Sequence, residues 1–202
     1  MSAPRLKLAD LKGFPENVEE DGKIKTVEFI DASNEIVAVI EKFGKLFTPI
    51  VMDMRGNSSQ LFDLYQKDVK NWEFIEDMIL TAPELNSRSW LLWLKRALEL
   101  IERFFYYVIT DPNIIAQKSD SLQPMIVRAY NEVLKPYHGF LLQQTFSMLN
   151  RWIPNRKTLL GVDEYFEDNI KHLQILMPRM RKHIDKVDIF LKQNGFDDTS
   201  KV

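Results

Sequence analysis

The chain has 202 residues, of which 45% are hydrophobic and 28% charged, a globular composition long enough for one domain with a sizeable core. Its 27 basic and 29 acidic side chains leave a formal charge of −2. That balance argues against nucleic acid as a partner, since such binding rests on neutralising phosphates, and against a membrane attachment made mainly by charge.

Residues 1–24, with Pro4, Gly13, Pro15 and Gly22, read as an irregular arm. Apolar residues spaced by three and four then dominate, and no pair of alternating segments flanks a turn. A first helix is expected from Thr26 to Glu41, with Phe29, Ile36, Val37 and Ile40 on one side and Gly44 beyond its end. Lys45 to Asp68 reads as a second helix with Pro49 in its first turn, where a missing N–H costs little. Asn71 to Leu80 and Ser87 to Ile109 follow, the latter stopped by Asp111-Pro112-Asn113. Further helices are expected over Gln123–Leu134 and Phe140–Trp152, with Ile153-Pro154-Asn155 closing the second. Asp163–Lys192 reads as a last helix bent at Pro178. A domain over 25–195 and a polar tail over 196–202 complete the reading, and no internal repeat is found.

There is no cysteine, which excludes disulfides, thiolate metal sites and cysteine nucleophiles. The first residues hold no continuous apolar stretch of the kind a secretory signal needs. The longest apolar runs, such as Phe104 to Ile109, fall far short of the roughly 20 residues that span a membrane. The expectation is a cytoplasmic protein. With three histidines, zinc catalysis is poorly supplied, and neither a Gly-rich phosphate loop nor a nucleophile elbow occurs. No cofactor and no enzymatic activity are expected.

Three features stand out. On the second helix Leu46, Ile50, Asp53, Asn57, Gln60 and Leu64 share one face, apolar at both ends and polar in the middle. Such a seam is either a solvated helix edge or a polar patch in the mouth of an apolar cavity. The long fourth helix confines its charge to Lys95, Arg96, Glu99, Glu102 and Arg103 and is apolar over the rest of its circumference, so it belongs at the centre of the fold. Trp90 and Trp93 near its start serve either as core or as flat platforms for a ligand with an apolar face and a polar rim. His138 stands in Lys135-Pro136-Tyr137-His138-Gly139-Phe140, where a histidine beside a helix break is structural or functional.

Together these residues match a pattern. Phe47-Thr48-Pro49-Ile50 followed by Asp53-x-x-Gly56-Asn57, then Trp93-Leu94-Lys95-Arg96, then Tyr137-His138-Gly139 before an aromatic, resemble in order and spacing the motifs of the glycolipid transfer protein family. The resemblance covers nearly all of residues 25–195. It implies an all-α, two-layer sandwich of about eight helices enclosing a pocket for hydrocarbon chains. By the same resemblance Asp53 accepts the sphingolipid amide N–H, His138 donates to the amide carbonyl, and Trp93 stacks under the first sugar. Asn57 bonds that sugar's hydroxyls and Tyr130 lies close by. Phe43, Phe47, Ile50, Leu100, Phe104, Leu134 and Phe146 would line the chain tunnel, or else form ordinary core. Phe140 takes the place of a membrane-facing aromatic, and Trp152 is either a second membrane contact or a partly buried helix end. Gln60 departs from the pattern, since a lysine commonly stands there and reaches the sugar.

The expected partner is thus a glycosphingolipid, carried by a monomer that touches membranes transiently. Ceramide-1-phosphate is the alternative cargo, and a sensor or adaptor the alternative role. The phosphate-binding branch has Lys at the position of Asn57 and Arg at those of Trp93 and Ala97, all three uncharged here. Arg96 alone keeps that alternative open. The chemistry favours an enclosed carrier in either case. Each CH₂ left in water costs about 0.8 kcal/mol, so a chain of about 14 carbons costs roughly 11 kcal/mol unless an apolar tunnel receives it.

Overall fold

The computed structural model of the chain describes residues 4–17 and 22–202. Nine α-helices occur among them. They are α1 (Thr26–Glu41), α2 (Thr48–Tyr65), α3 (Ile75–Thr81), α4 (Asn86–Thr110), α5 (Pro112–Ile115), α6 (Gln123–Val133), α7 (Phe140–Leu149), α8 (Arg156–Leu160) and α9 (Asp163–Gln193). No strand is present among the described residues. Segments 24–26 and 73–75 meet in an isolated antiparallel bridge, where Thr26 N donates to the Glu73 carbonyl at 2.8 Å and Ile75 N to that of Ile24 at 2.9 Å.

The helices form a two-layer all-α sandwich around α4, which packs against α2, α6 and α9, while α1 lies on α2. This placement follows from the wide apolar surface of α4, where Leu91, Leu94, Leu98, Ile101, Phe104 and Val108 are all buried. Its charged face is not left in water either. Lys95, Arg96 and Glu102 are only 4%, 1% and 3% exposed. Lys95 pairs with Asp188 of α9 at 2.7 Å, and Arg181 of α9 reaches Glu99 at 3.1 Å and Glu102 at 3.2 Å. Buried charges demand partners, and α9 supplies those of Lys95 and Glu102.

The first helix has the bounds its sequence predicts. The second begins with a short 3-10 turn over Lys45–Phe47 and ends at Tyr65; the third starts only at Ile75, after the bridge. Two single-turn helices, α5 and α8, stand where the sequence suggested only stops. Asp111 accepts from the N–H groups of Asn113 and Ile114, both at 2.9 Å, and Asn155 from that of Thr158 at 2.8 Å. A residue that ends one helix has here capped the next.

Residues 1–3 and 18–21 of the expected N-terminal arm lie outside the described residues. The rest of the arm is drawn into the core, with Leu6, Leu8 and Phe14 buried. Asn169 of α9 ties it down, accepting from Leu8 N at 3.1 Å while donating to the carbonyls of Leu6 at 3.1 Å and Leu160 at 2.9 Å.

Candidate functional site

Three of the singled-out side chains meet where α4, α6 and the turn before α7 converge. Pro136 and Gly139 prevent α6 from running into α7, and His138 projects from the break between them. Its ring stacks on that of Trp93 with centroids 6.2 Å apart. Its Nδ1 lies 3.1 Å from the Tyr130 hydroxyl, and its carbonyl accepts from Gln143 Nε2 at 2.8 Å. Burial first, and then the nearby Arg96 charge, push the His138 pKa down, so the imidazole is neutral at pH 7. Burial pushes the Tyr130 phenol up and keeps its proton on. When that hydroxyl donates to Nδ1, Nε2 carries the ring proton and becomes a donor for an incoming carbonyl.

Asp53 and Asn57 stand on the neighbouring helix α2. The buried face of α2 is Val51, Met54, Ser58, Leu61 and Leu64. Of the mixed seam, only Leu64 is fully buried; Ile50 and Asn57 are half-buried, and Leu46, Asp53 and Gln60 open to solvent. The seam therefore runs along the margin of the helix. Asp53 is exposed at its rim, yet adjoining protein strips enough water from its carboxyl to push the pKa up, with no cation opposing the shift. No hydrogen bond among the described residues joins Asp53 or Asn57 to the Trp93–Tyr130–His138 cluster.

The other half of this region, apart from Arg96 itself, was not apparent from the sequence. Arg96 lies under the cluster, its guanidinium 3.5 Å from the Tyr137 ring centroid and 4.9 Å from that of Trp93. The polar tail folds back over it, and Asp197 pairs with Arg96 at 3.1 Å. Between the tail and the first turns of α4 lies a cavity of about 270 Å³, bordered by Leu85, Arg88, Ser89, Trp93, Phe196 and Ser200 among others. A helix-ending glycine followed by an aromatic, Gly195-Phe196, was the available signal that the tail turns back.

The expected tunnel residues divide in two. Phe43, Phe47, Leu100 and Phe104 are buried, while Ile50, Leu134 and Phe146 are half-buried at the periphery. Phe43 meets Phe47 and Phe104 edge-on, with centroids 5.4 and 5.8 Å apart. Phe146 of α7 stacks flat on Tyr130 at 3.5 Å. The rest of α7 is barely attached to the core, for only Leu149 is buried. Phe140, Leu141, Met148 and, in the following turn, Trp152 are 74%, 78%, 59% and 63% exposed. Trp152 is thus not the partly buried helix end that was one of its two readings.

Among the described residues no three His, Asp or Glu side chains come together to hold a metal ion, and no helix is long and apolar enough to cross a membrane.

Comparisons with known proteins bear on this arrangement. Residues 24–162 match the family model described as glycolipid transfer protein (GLTP). Glycolipid transfer protein 1 of Arabidopsis thaliana is 27% identical over 159 residues, a stretch covering 75% of this chain and 76% of that protein. Among solved structures, the GLTP fold of FAPP2, described as selecting simple glycosphingolipids, superposes with a TM-score of 0.79 at 21% identity over 98% of this chain and 97% of that one. The apo-form of mouse ceramide-1-phosphate transfer protein gives 0.80 at 17% identity, over 90% and 93% of the two chains. At such identities the two structures speak for the fold alone.

Proposed function

The chain belongs to the glycolipid transfer protein family, and on that premise we propose that it binds a glycosphingolipid and moves it between membranes without chemical change. The observation that carries this reading is the cluster itself. A histidine that burial keeps neutral stacks on a half-exposed tryptophan of α4, and the adjoining helix α2 carries a carboxyl partly stripped of water. A sphingolipid amide offers one donor and one acceptor. Asp53 takes the N–H, His138 Nε2 gives to the carbonyl, and Trp93 supplies the flat apolar face that a sugar ring needs, with Asn57 at its polar rim. A lipid without that N–H would leave the carboxylate unpaired, a loss of about 1–3 kcal/mol.

Delivery requires a membrane contact. The apolar residues of α7 and Trp152 form a surface that water does not favour, beside the site and on the helix least bound to the core. Tryptophan and phenylalanine suit the boundary between lipid and water. α7 would thus hold the protein at the bilayer while the lipid passes under Phe146.

A second reading, ceramide-1-phosphate as cargo, has one observation in its favour: the cation of Arg96 buried beneath the cluster. Against it stand Asn57, Trp93 and Ala97, none of which can neutralise a phosphate, and the carboxylate already on Arg96. Vesicle-to-vesicle transfer of galactosylceramide and of ceramide-1-phosphate tests the choice. Galactosylceramide should be preferred, and Asp53→Val and Trp93→Ala should each abolish its transfer while leaving helical content intact. A preference for the phosphate lipid, or near-normal transfer by either variant, overturns the proposal.

A further inference from the structure

The polar tail holds a feature that the proposed cargo does not by itself require. After Gln193 the chain reverses in a left-handed turn at Gly195, φ +69°. Phe196 N donates back to the Leu191 carbonyl at 2.8 Å, closing a helix-end motif that fixes the direction of everything beyond it. The tail then crosses the first turns of α4 and is pinned at its far end. Val202 N donates to the Tyr137 carbonyl at 3.0 Å, and a Val202 oxygen accepts from Gly139 N at 2.7 Å. A Cβ at Gly139 would lie 2.9 Å from that oxygen, so the approach depends on glycine.

Between these two anchors the tail meets both arginines that border the cavity. The Phe196 ring covers the Arg88 guanidinium at 4.1 Å. Asp197 Oδ1 accepts from Arg96 Nη2 at 3.1 Å, and the Asp198 carbonyl accepts from the same nitrogen. The Asp198 carboxylate closes a turn on Ser200 N at 2.8 Å and adds a second negative charge at the cavity wall. Arg96 is 1% exposed, and its Nε has no hydrogen-bond partner. A cation that deep, with a donor to spare and stacked on Trp93, is what a phosphate or sulfate group would seek.

We propose that the tail is a charge filter on the headgroup site: Asp197 occupies Arg96, Phe196 masks Arg88, and the basin is thereby reserved for uncharged sugars. This deepens the glycosphingolipid reading and rests on it. An anionic headgroup entering beside Trp93 finds Arg96 already paired with Asp197 and the Asp198 carboxylate on the cavity wall, so specificity comes from a withheld cation as well as from favourable contacts. A neutral sugar loses nothing to the pair and leaves the buried arginine compensated.

The test uses the full chain and phosphatidylcholine donor vesicles carrying labelled galactosylceramide, its 3-sulfated form, or ceramide-1-phosphate. The quantity read is the ratio of anionic to neutral lipid transferred. Asp197→Asn should raise that ratio by about tenfold, since it leaves a buried arginine in need of an anion. Asp197→Glu, which keeps the charge, should restore the original ratio. Phe196→Ala frees Arg88 without touching the ion pair and should raise the ratio less; it stands in if Asp197→Asn fails to fold. An unchanged ratio in Asp197→Asn with galactosylceramide still carried overturns the filter and leaves the proposed function standing. A raised ratio in Asp197→Glu overturns it too, because shape rather than charge would then decide. A wild-type chain that carries no galactosylceramide overturns both.

Discussion

At the scale of single residues, the site is marked by groups held away from their ordinary ionisation. Asp53 is the plainest, because crowding raises its pKa and nothing nearby repays the loss of water. A carboxyl whose pKa is higher folded than unfolded destabilises the fold wherever it is ionised. The penalty is complete above the folded pKa and vanishes below the ordinary value of 3.8. Asp53→Asn should therefore raise the melting temperature at pH 7, with a gain that shrinks as pH falls into the carboxylate range, while headgroup binding is lost. Thermal unfolding of both proteins from pH 7 down to pH 4 checks this, and a variant less stable at pH 7 would mean that Asp53 has a favourable partner. Residue types and order were enough to single out Asp53, Trp93 and His138 as candidates. Arg96 was legible as a motif residue and as the one cation that kept the phosphate alternative open, but not as a buried one. Its ion-pair partner, Asp197, is 101 positions away, and no local pattern carries a pairing across that distance.

At the scale of elements, periodicity located every long helix, since burial of one face leaves the same three-and-four spacing whatever the fold. It failed at the single-turn helices, which are too short to show a period. α8 exists largely because of one side chain. Arg156 is 1% exposed and donates to Asp120 Oδ1 at 2.8 Å, Gln117 Oε1 at 3.0 Å and the carbonyls of Ser119 at 3.2 Å and Gly161 at 3.3 Å. It thus binds the connector between α5 and α6 to both ends of α8. Arg156→Ala removes the donor that Gln117 and the two carbonyls share, while Asp120 keeps Lys157 at 2.7 Å, and should cost roughly 3 kcal/mol, read as a lower denaturant midpoint with an unchanged slope. Lipid transfer, scaled to the folded fraction, should persist because none of these groups reaches the headgroup cluster. α7 calls for the opposite experiment. Phe140 is 74% exposed and so contributes little to the core. Phe140→Ala should leave stability within about 0.5 kcal/mol of the original and weaken vesicle adsorption more than lipid binding in solution. Equal losses in the two assays would move Phe140 from the membrane face into the pocket.

For the whole molecule, the question is where hydrocarbon chains go. The aromatic side chains expected to line a tunnel are in close contact with one another: Phe43 touches Phe47, Phe104 and Phe105, with centroids between 5.4 and 6.4 Å apart. Buried aromatic residues at helical spacing serve a core and a tunnel lining alike, which is why the sequence could not separate the two readings. On the proposed function, room for a chain would come from parting these rings, with the lipid replacing the contacts that are broken. Phe47 is the informative position, buried in the turn that leads into α2, six residues before Asp53. Phe47→Ala in the lipid-free protein should behave as a large-to-small core change and cost about 3–5 kcal/mol. In protein loaded with galactosylceramide the cost should be smaller, because a methylene chain fills the space the ring leaves, and ligand binding adds stability by mass action in both proteins. The measurement is a pair of melting curves for each protein, with and without lipid, at one protein concentration and one lipid excess. A larger lipid-induced rise in Phe47→Ala than in the original chain places the chains along Phe47 and Phe43. An equal rise places them elsewhere and leaves these phenylalanines as core alone.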